Sequence, residues 1–429
     1  MRLRGWIAAL TALALLTLSG CASFSLSPEQ LLEPPRLTKQ QEEIREVLAD
    51  ALGTQGFRFF TPRTGSNLSP FLFADLYGSS DAEATVLYRL TDATEETRVC
   101  VLTRGADAAW TVLCDFAPAA GSAVERMDVA AVLPTGYKQL FLGNALYTGR
   151  ESALSVWALD TGKPVSVFSA SYAGYVVGDL TGDETDEFAL LNTPAEGGTS
   201  FSLYDHDETA NGISCLSETL LDVRFLSFSL LTVGSLDTGS RAVFIDGRVG
   251  SDLYATEVVT VRNGIVEPFF KADCPTRTLS LCCLDMDNDG NPEVPLQDVL
   301  PGYADVAASD RVIRMDWGNM GVAGLTSRTV SAVNTKWQYL LLIPENLAGK
   351  VTVLSSEEGD EWTLCEWDAE KQSTSRKIVT LRCRLLSRQD ESTERETLLF
   401  TQGNVCFTAE FYLEDILTAD ELSERIITL

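Results

Sequence analysis

Residues 281–294 read L-C-C-L-D-M-D-N-D-G-N-P-E-V, a short apolar run that empties into a loop with an acid at almost every second position. Asp285, Asp287, Asp289 and Glu293 stand at loop positions one, three, five and nine, with Asn291 at position seven. Oxygen side chains at that spacing can fold round a hard cation that takes six to eight oxygens, and Gly290 supplies a sharp turn after the third acid. The ion this donor set predicts is Ca²⁺. An EF-hand would place a bidentate Glu at position twelve, where this loop has Leu296, and no helical pattern leads into it. The loop is therefore expected between strands, and the chain around it is expected to be mainly β.

The outline recurs upstream. V-V-G-D-L-T-G-D-E-T-D-E-F-A-L-L, from Val176, puts Asp179, Thr181, Asp183 and Glu187 at the same four positions between apolar runs, so these four are candidate ligands of a second site. F-A-D-L-Y-G-S-S-D-A-E-A-T-V-L-Y keeps Asp75, Ser79 and Glu83. A-A-V-L-P-T-G-Y-K-Q-L-F-L and V-G-S-L-D-T-G-S-R-A-V-F-I keep strand, turn and strand but lose most acids, at Val132, Pro134 and Gly136 and at Ser235, Gly239 and Val243. Only turns are expected there. Taking Leu76, Leu133, Leu180, Leu236 and Met286 as equivalent gives spacings of 57, 47, 56 and 50 residues. A near-regular period of that size points to a repeat architecture with room for four strands per repeat.

The repeated D-x-D-x-D-G-x-x-[DE] loop resembles the FG-GAP/VCBS repeats of integrin-type β-propellers, over roughly Phe71 to Val330. That resemblance implies a propeller with structural Ca²⁺ in its inter-strand loops, and five copies imply about five blades, with six possible if the ends contribute a mixed one.

From the N-terminus, Arg2 and Arg4 precede the apolar run Trp6 to Leu18, which is short for a membrane span and laid out as a secretory signal. It ends in Leu18-Ser19-Gly20-Cys21, which resembles the bacterial lipobox. The resemblance implies cleavage after residue 20, acylation of Cys21, and a protein anchored to the cell membrane and facing outside the cytoplasm. Residues 21–36, rich in Ser, Pro and Leu, suit a flexible tether. Thr38 with Gln41 forms a capping-box pattern, and Ile44, Val47, Leu48 and Leu52 repeat at helical spacing before Gly53, so residues 37–53 are read as a helix. This opening also resembles repeat-bearing lipoproteins of Gram-positive bacteria.

Strand signals then dominate. The stretches at 99–114, 153–168 and 253–270 are each two alternating apolar runs about a Gly-containing turn, a hairpin signature, and each lies between two loop copies. One repeat of the propeller at 54–329 is then a loop's exit strand, a hairpin, and the entry strand of the next loop. Beyond Val330 come six strand candidates without an acidic loop, and Thr418 to Glu421 resembles a capping box opening a last helix through Ile427. Residues 330–429 are read as a C-terminal α+β domain.

A formal charge of −28, about −30 once the signal is removed, repels nucleic acid and favours cations and basic partners. With His206 as the single histidine, in Y-D-H-D-E-T, which is read as a turn, multi-His metal centres are excluded and every Ser-His or Cys-His arrangement would need that one residue. No G-x-S-x-G elbow or glycine-rich phosphate loop is present. Beyond Cys21 nine cysteines remain. Cys100 with Cys114 and Cys365 with Cys383 lie symmetrically about turns, but bridging a narrow hairpin is sterically demanding, and buried thiols are the preferred reading. D-x-D after an apolar strand also resembles haloacid-dehalogenase-like phosphatases, a reading opposed by the further acids and by flanks without strand–helix alternation. The sequence thus predicts a non-enzymatic binding or scaffold protein at the envelope, with an unidentified protein or glycan ligand. An envelope hydrolase of glycan or phosphate ester, using propeller carboxylates, is the alternative.

Overall fold

A computed structural model of the chain describes residues 37–429, apart from 80, 92–96, 106–107, 119–121, 147–151, 161, 195, 211, 271–273, 322–323, 392 and 414. Cys21, the signal segment and the tether lie outside the described residues.

The chain enters through helix α1 (Lys39–Leu52). Its capping box is formed in both directions, Gln41 N–H donating to Thr38 Oγ1 at 3.3 Å and Thr38 N–H to Gln41 Oε1 at 2.9 Å, and Gly53 ends it at a φ of 64°. Ile44 and Leu48, one turn apart, are fully buried, so the helix has one apolar stripe to bury.

Six antiparallel sheets follow. Sheet I holds β1 (Phe57–Phe59), β2 (Phe71–Ala74), β3 (Glu83–Leu90), β4 (Arg98–Arg104) and β5 (Trp110–Phe116), with both β1 and β2 paired to β3. Sheet II is the meander β6 (Ser122–Ala130), β7 (Gln139–Leu146), β8 (Ser152–Ala158) and β9 (Val165–Tyr172). Sheet III is β10 (Gly174–Gly178), β11 (Glu187–Asn192), β12 (Ser200–Asp207) and β13 (Gly212–Leu220). Sheet IV is β14 (Ser227–Ser235), β15 (Arg241–Arg248), β16 (Tyr254–Arg262) and β17 (Ile265–Pro268), with β18 (Thr276–Arg277) also on β16. Sheet V opens with β19 (Val294–Val299), β20 (Ile313–Gly321), β21 (Gly324–Asn334) and β22 (Tyr339–Ile343). Sheet VI is β23 (Val351–Ser355), β24 (Glu361–Asp368), β25 (Ser373–Leu385), β26 (Thr397–Gln402) and β27 (Val405–Phe411). After helix α2 (Ala419–Glu424), strand β28 (Ile426–Thr428) returns to sheet V beside β22.

Alternate residues of one strand serve opposite neighbours. On β11, Phe188 and Leu190 pack toward Phe141 and Val156 of sheet II, while Ala189 and Leu191 pack toward Val243 and Ile245 of sheet IV. Period-two side chains on a strand buried on both faces give this result, and they explain its unbroken apolar reading. Similar clusters join I to II, IV to V and V to VI. Among the described residues no hydrophobic cluster joins VI back to I. The outer face of sheet I is covered by Ile44 and Leu48 of α1, and sheet VI presents Arg382, Arg384, Glu361, Glu396 and Glu410, cross-linked by salt bridges. Both end sheets are thus finished by a helix or by charge, as terminal repeats require.

Four sequence expectations change. The loops at 131–138, 179–186 and 236–240 each join the first two strands of one sheet, because the entering strand pairs with the leaving one, as Tyr175 does with Leu190; the repeat there is entry strand, loop, exit strand and hairpin. The expected boundary at 330 falls inside β21, where Val330 pairs with Asp316 on one side and Ile343 on the other. The final helix stops at Glu424 rather than Ile427, since the open edge of β22 takes Ile426 to Thr428 as a strand. Thr418 does form the expected capping box with Glu421. Finally, Leu281 to Leu284 is not a regular strand and makes only the isolated bridge Leu284 to Glu293.

Among the described residues no two cysteines form a disulfide. Cys100 stands opposite Asp115 and Cys114 opposite Val101, and the two face different cores, so they do not approach as a bridge requires. Cys365 and Cys383 pair with Lys377 and Phe407 instead of each other.

Candidate functional site

In four of the five loop copies the turn is held by the residue at its ninth position; the fourth copy has the apolar Val243 there, and its Leu236 N–H goes to the Ser240 carbonyl. Glu83, Glu187 and Glu293 accept the N–H of Leu76, Leu180 and Met286 at 2.9, 2.9 and 2.7 Å. In the second loop Gln139 does the same for Val132 and Leu133, both at 2.9 Å. All four side chains belong to residues at most 3% exposed. Gln139 corrects the alignment by one residue: Val132, not Leu133, is the counterpart of Leu76. The signal was an amide seven residues after an apolar turn residue. Because Gln139 holds its turn with a neutral side chain, this clamp works without a metal.

Later loops also reach back to earlier ones. Asp186 accepts the N–H of Ala131 at 2.8 Å, Arg241 donates to Asp179 at 3.0 Å, and Asn291 accepts the N–H of Ser235 at 2.9 Å. Asn291, expected as a ligand, is thereby turned toward sheet IV.

The two acid-rich loops share one backbone course. Positions four and six are left-handed in both, Gly182 and Glu184 at φ 85° and 71°, and Asn288 and Gly290 at 61° and 88°. Gly and Asn occupy three of these four places because they tolerate that region.

What faces the acids differs. At Asp179, Oδ1 accepts Gly182 N–H at 2.6 Å and Oδ2 takes Arg241. Asp183 accepts the N–H and hydroxyl of Thr185, at 2.9 and 2.5 Å, which hold its carboxyl below the ordinary value. Glu187 takes two backbone N–H groups on Oε2 and the Thr181 hydroxyl on Oε1, while burial pushes its carboxyl upward. The four residues expected to hold a cation there are bonded to protein groups instead, and the donor set does not fit a resident metal.

The loop at Asp285 fits one. Carboxylate oxygens of Asp285, Asp287 and Asp289 lie within 4.8 Å of one another. Loop N–H groups take part of their capacity: Asp289 and Gly290 donate to Asp285 at 3.1 and 3.0 Å, Asp289 donates to Asp287 at 3.2 Å, and Asn291 donates to Asp289 at 2.8 Å. Glu293 is 1% exposed, and its Oε1 has no hydrogen-bond partner in the protein. Burial, and after it the charges of Asp287, Asp289 and Asp285, push its carboxyl up to about 7 against the pull of Met286 N–H. A buried carboxylate oxygen without a donor is costly unless a cation or proton meets it.

The approach to this loop is fixed by a pair the sequence did not reveal. Arg277 and Asp246, both side chains 1% exposed, meet at 2.7 Å. Arg277 also donates to Thr256 Oγ1 at 2.8 Å and to the Leu281 carbonyl at 2.6 Å, and Asp246 accepts Cys283 N–H at 2.9 Å. The backbone of 281–283 is thus bonded to side chains of sheet IV, which is why no regular strand forms there. His206, expected in a turn, lies within β12 opposite Ile213.

No protein-family model matches the chain, and no curated protein sequence matches it. Solved structures similar to it include the Bacillus licheniformis rhamnogalacturonan lyase (12% identity, 76% of this chain and 78% of that one, TM-score 0.31) and the Dos1 propeller (10%, 79% and 67%, TM-score 0.30). The Chaetomium thermophilum Sqt1 bound to the N-terminus of ribosomal protein L10 is similar at 9% identity over 83% and 95% of the chains, TM-score 0.32. Scores of this size carry no argument, so the architecture rests on the sheets themselves.

Proposed function

We propose that the protein is a lipid-anchored, extracytoplasmic binding or scaffold protein, built from FG-GAP/VCBS-type blades and stabilised by one Ca²⁺ at the loop of Asp285. The observation that carries the cation is the buried, unpartnered Oε1 of Glu293 beside three converging carboxylates. Asp285, Asp287, Asp289 and Glu293 would hold the ion, which supplies positive charge to a turn that otherwise concentrates negative charge. All-oxygen donors select a hard cation over a thiophilic one. The blade reading rests on six successive antiparallel sheets, of which the inner four bury both faces against their neighbours. Anchoring rests on Leu18-Ser19-Gly20-Cys21 behind a basic, apolar segment. No described helix is long and apolar enough to cross a membrane.

The hydrolase alternative needs two available carboxylates across a cleft. A cleft of about 700 Å³ opens between sheets II, III and IV, and its Asp128 is engaged by Arg126 at 2.7 Å and by the Tyr175 hydroxyl at 2.6 Å. The acid-rich loops do not line it.

Calorimetric titration of the purified chain with Ca²⁺ tests the proposal. Binding should be lost in Asp287→Ala/Asp289→Ala, and the ion should raise the melting temperature of the parent chain by mass action. No heat and no thermal shift at millimolar Ca²⁺ would remove the cation. Cys21→Ala should abolish fatty-acid labelling in cells, and unchanged labelling would remove the anchor.

A further inference from the structure

The loops at Asp179 and Asp285 have the same acid spacing and the same pair of left-handed positions, yet only the first meets a positive charge of the protein's own at its first acid; at the other, the exposed Arg328 comes no nearer than 4.0 Å, to the second acid Asp287. Arg241, the first residue of β15, extends from sheet IV and donates to Asp179 Oδ2 at 3.0 Å. Its stem crosses the loop where Gly182 leaves room: a Cβ at 182 would lie 3.2 Å from Arg241 Cγ. The Thr181 hydroxyl donates at 3.1 Å to the Glu187 oxygen corresponding to the bare one of Glu293. Guanidinium is charged at every accessible pH and carries several donors, so it can neutralise a carboxylate as a bound ion would, although with one charge instead of two.

We propose that Arg241 is a built-in substitute for the cation at the loop of Asp179. The junction of sheets III and IV is then fastened without metal, and the response to Ca²⁺ is confined to the loop of Asp285. This deepens the cation reading above and rests on it only for the second half. Gly182 belongs to the same device, because a side chain there would crowd the arginine stem as well as strain a φ of 85°.

The test is a Ca²⁺ titration of four full-length proteins: the parent, Arg241→Ala, Asp287→Ala/Asp289→Ala, and the triple variant. The expected stoichiometries are one, two, none and one ion per chain, with Ca²⁺ restoring melting temperature lost in Arg241→Ala. Binding by the triple variant but not the parent would sustain the role of Arg241 and overturn the cation reading at Asp285. A triple variant that melts cooperatively and binds no ion overturns the proposal, as does a parent that binds two. Should Arg241→Ala not fold, hydrogen exchange of the parent decides. Added Ca²⁺ should increase protection at residues 283–294 and leave 177–188 unchanged, and protection rising at both loops overturns the proposal.

Discussion

Replacing Arg277 with methionine keeps most of the apolar stem and deletes a guanidinium that makes three contacts shorter than 2.9 Å, to Asp246, Thr256 and the Leu281 carbonyl. Asp246 would keep the Thr256 hydroxyl and the Cys283 N–H but would stand buried without a counter-charge. Removing one member of a buried pair typically costs about 3–5 kcal/mol, whereas replacing both with apolar residues is often nearly neutral. Arg277→Met and Asp246→Leu are therefore each expected to destabilise by about 3–5 kcal/mol, and the double variant by clearly less than their sum. Equilibrium urea unfolding of the four proteins gives the cycle directly. The double variant should recover stability without recovering Ca²⁺ affinity, because Cys283, two residues before Asp285, has lost its anchor on Asp246. Single variants within about 0.5 kcal/mol of the parent, the ordinary range for surface changes, would refute the claim that this pair fixes the loop.

Gln139→Leu strands the N–H groups of Val132 and Leu133 and should cost about 1–3 kcal/mol for each one left buried; Gln139→Glu should cost less, since Glu does the same task in three other loops. Two buried carboxyls should shape stability against pH with opposite sign. Glu293, at about 7, binds more protons folded than unfolded between pH 4.5 and 7, so the metal-free chain loses this contribution as pH rises through that window, and Ca²⁺ affinity rises over the same range. Burial pushes Glu396 up, yet Arg384, Thr408 and Arg382 bring it to about 2, so its contribution is complete above 4.5 and lost as pH falls toward 2. Thermal melts of Glu293→Gln and Glu396→Gln across pH 3–8, in chelator, should flatten one slope each. Thr418→Ala should cost about 1 kcal/mol through loss of the α2 cap, read by urea unfolding.

Local chemistry made much of this molecule legible from sequence. The capping boxes at Thr38 and Thr418 are properties of four consecutive residues, and period-two apolar runs specify strands wherever a face is buried. All six strand candidates after Val330 are present for that reason, and so are the three hairpins. The acid spacing likewise marked both loops, and glycine or asparagine stands at three of their four left-handed positions, Glu184 being the exception. Tertiary structure decided what those acids do. Sequence spacing gave Asp179 and Asp285 the same standing, because neither Arg241, 62 residues beyond Asp179, nor the absence of a donor to Glu293 Oε1 is a local fact. The same limit hid the pairing of Arg277 with Asp246, 31 residues apart, and the return of Ile426 to β22. Electrostatic partners and sheet edges are met across space, where burial multiplies the strength of each charge, so the identity of the group that arrives decides whether an acidic turn is a cation site or a salt bridge.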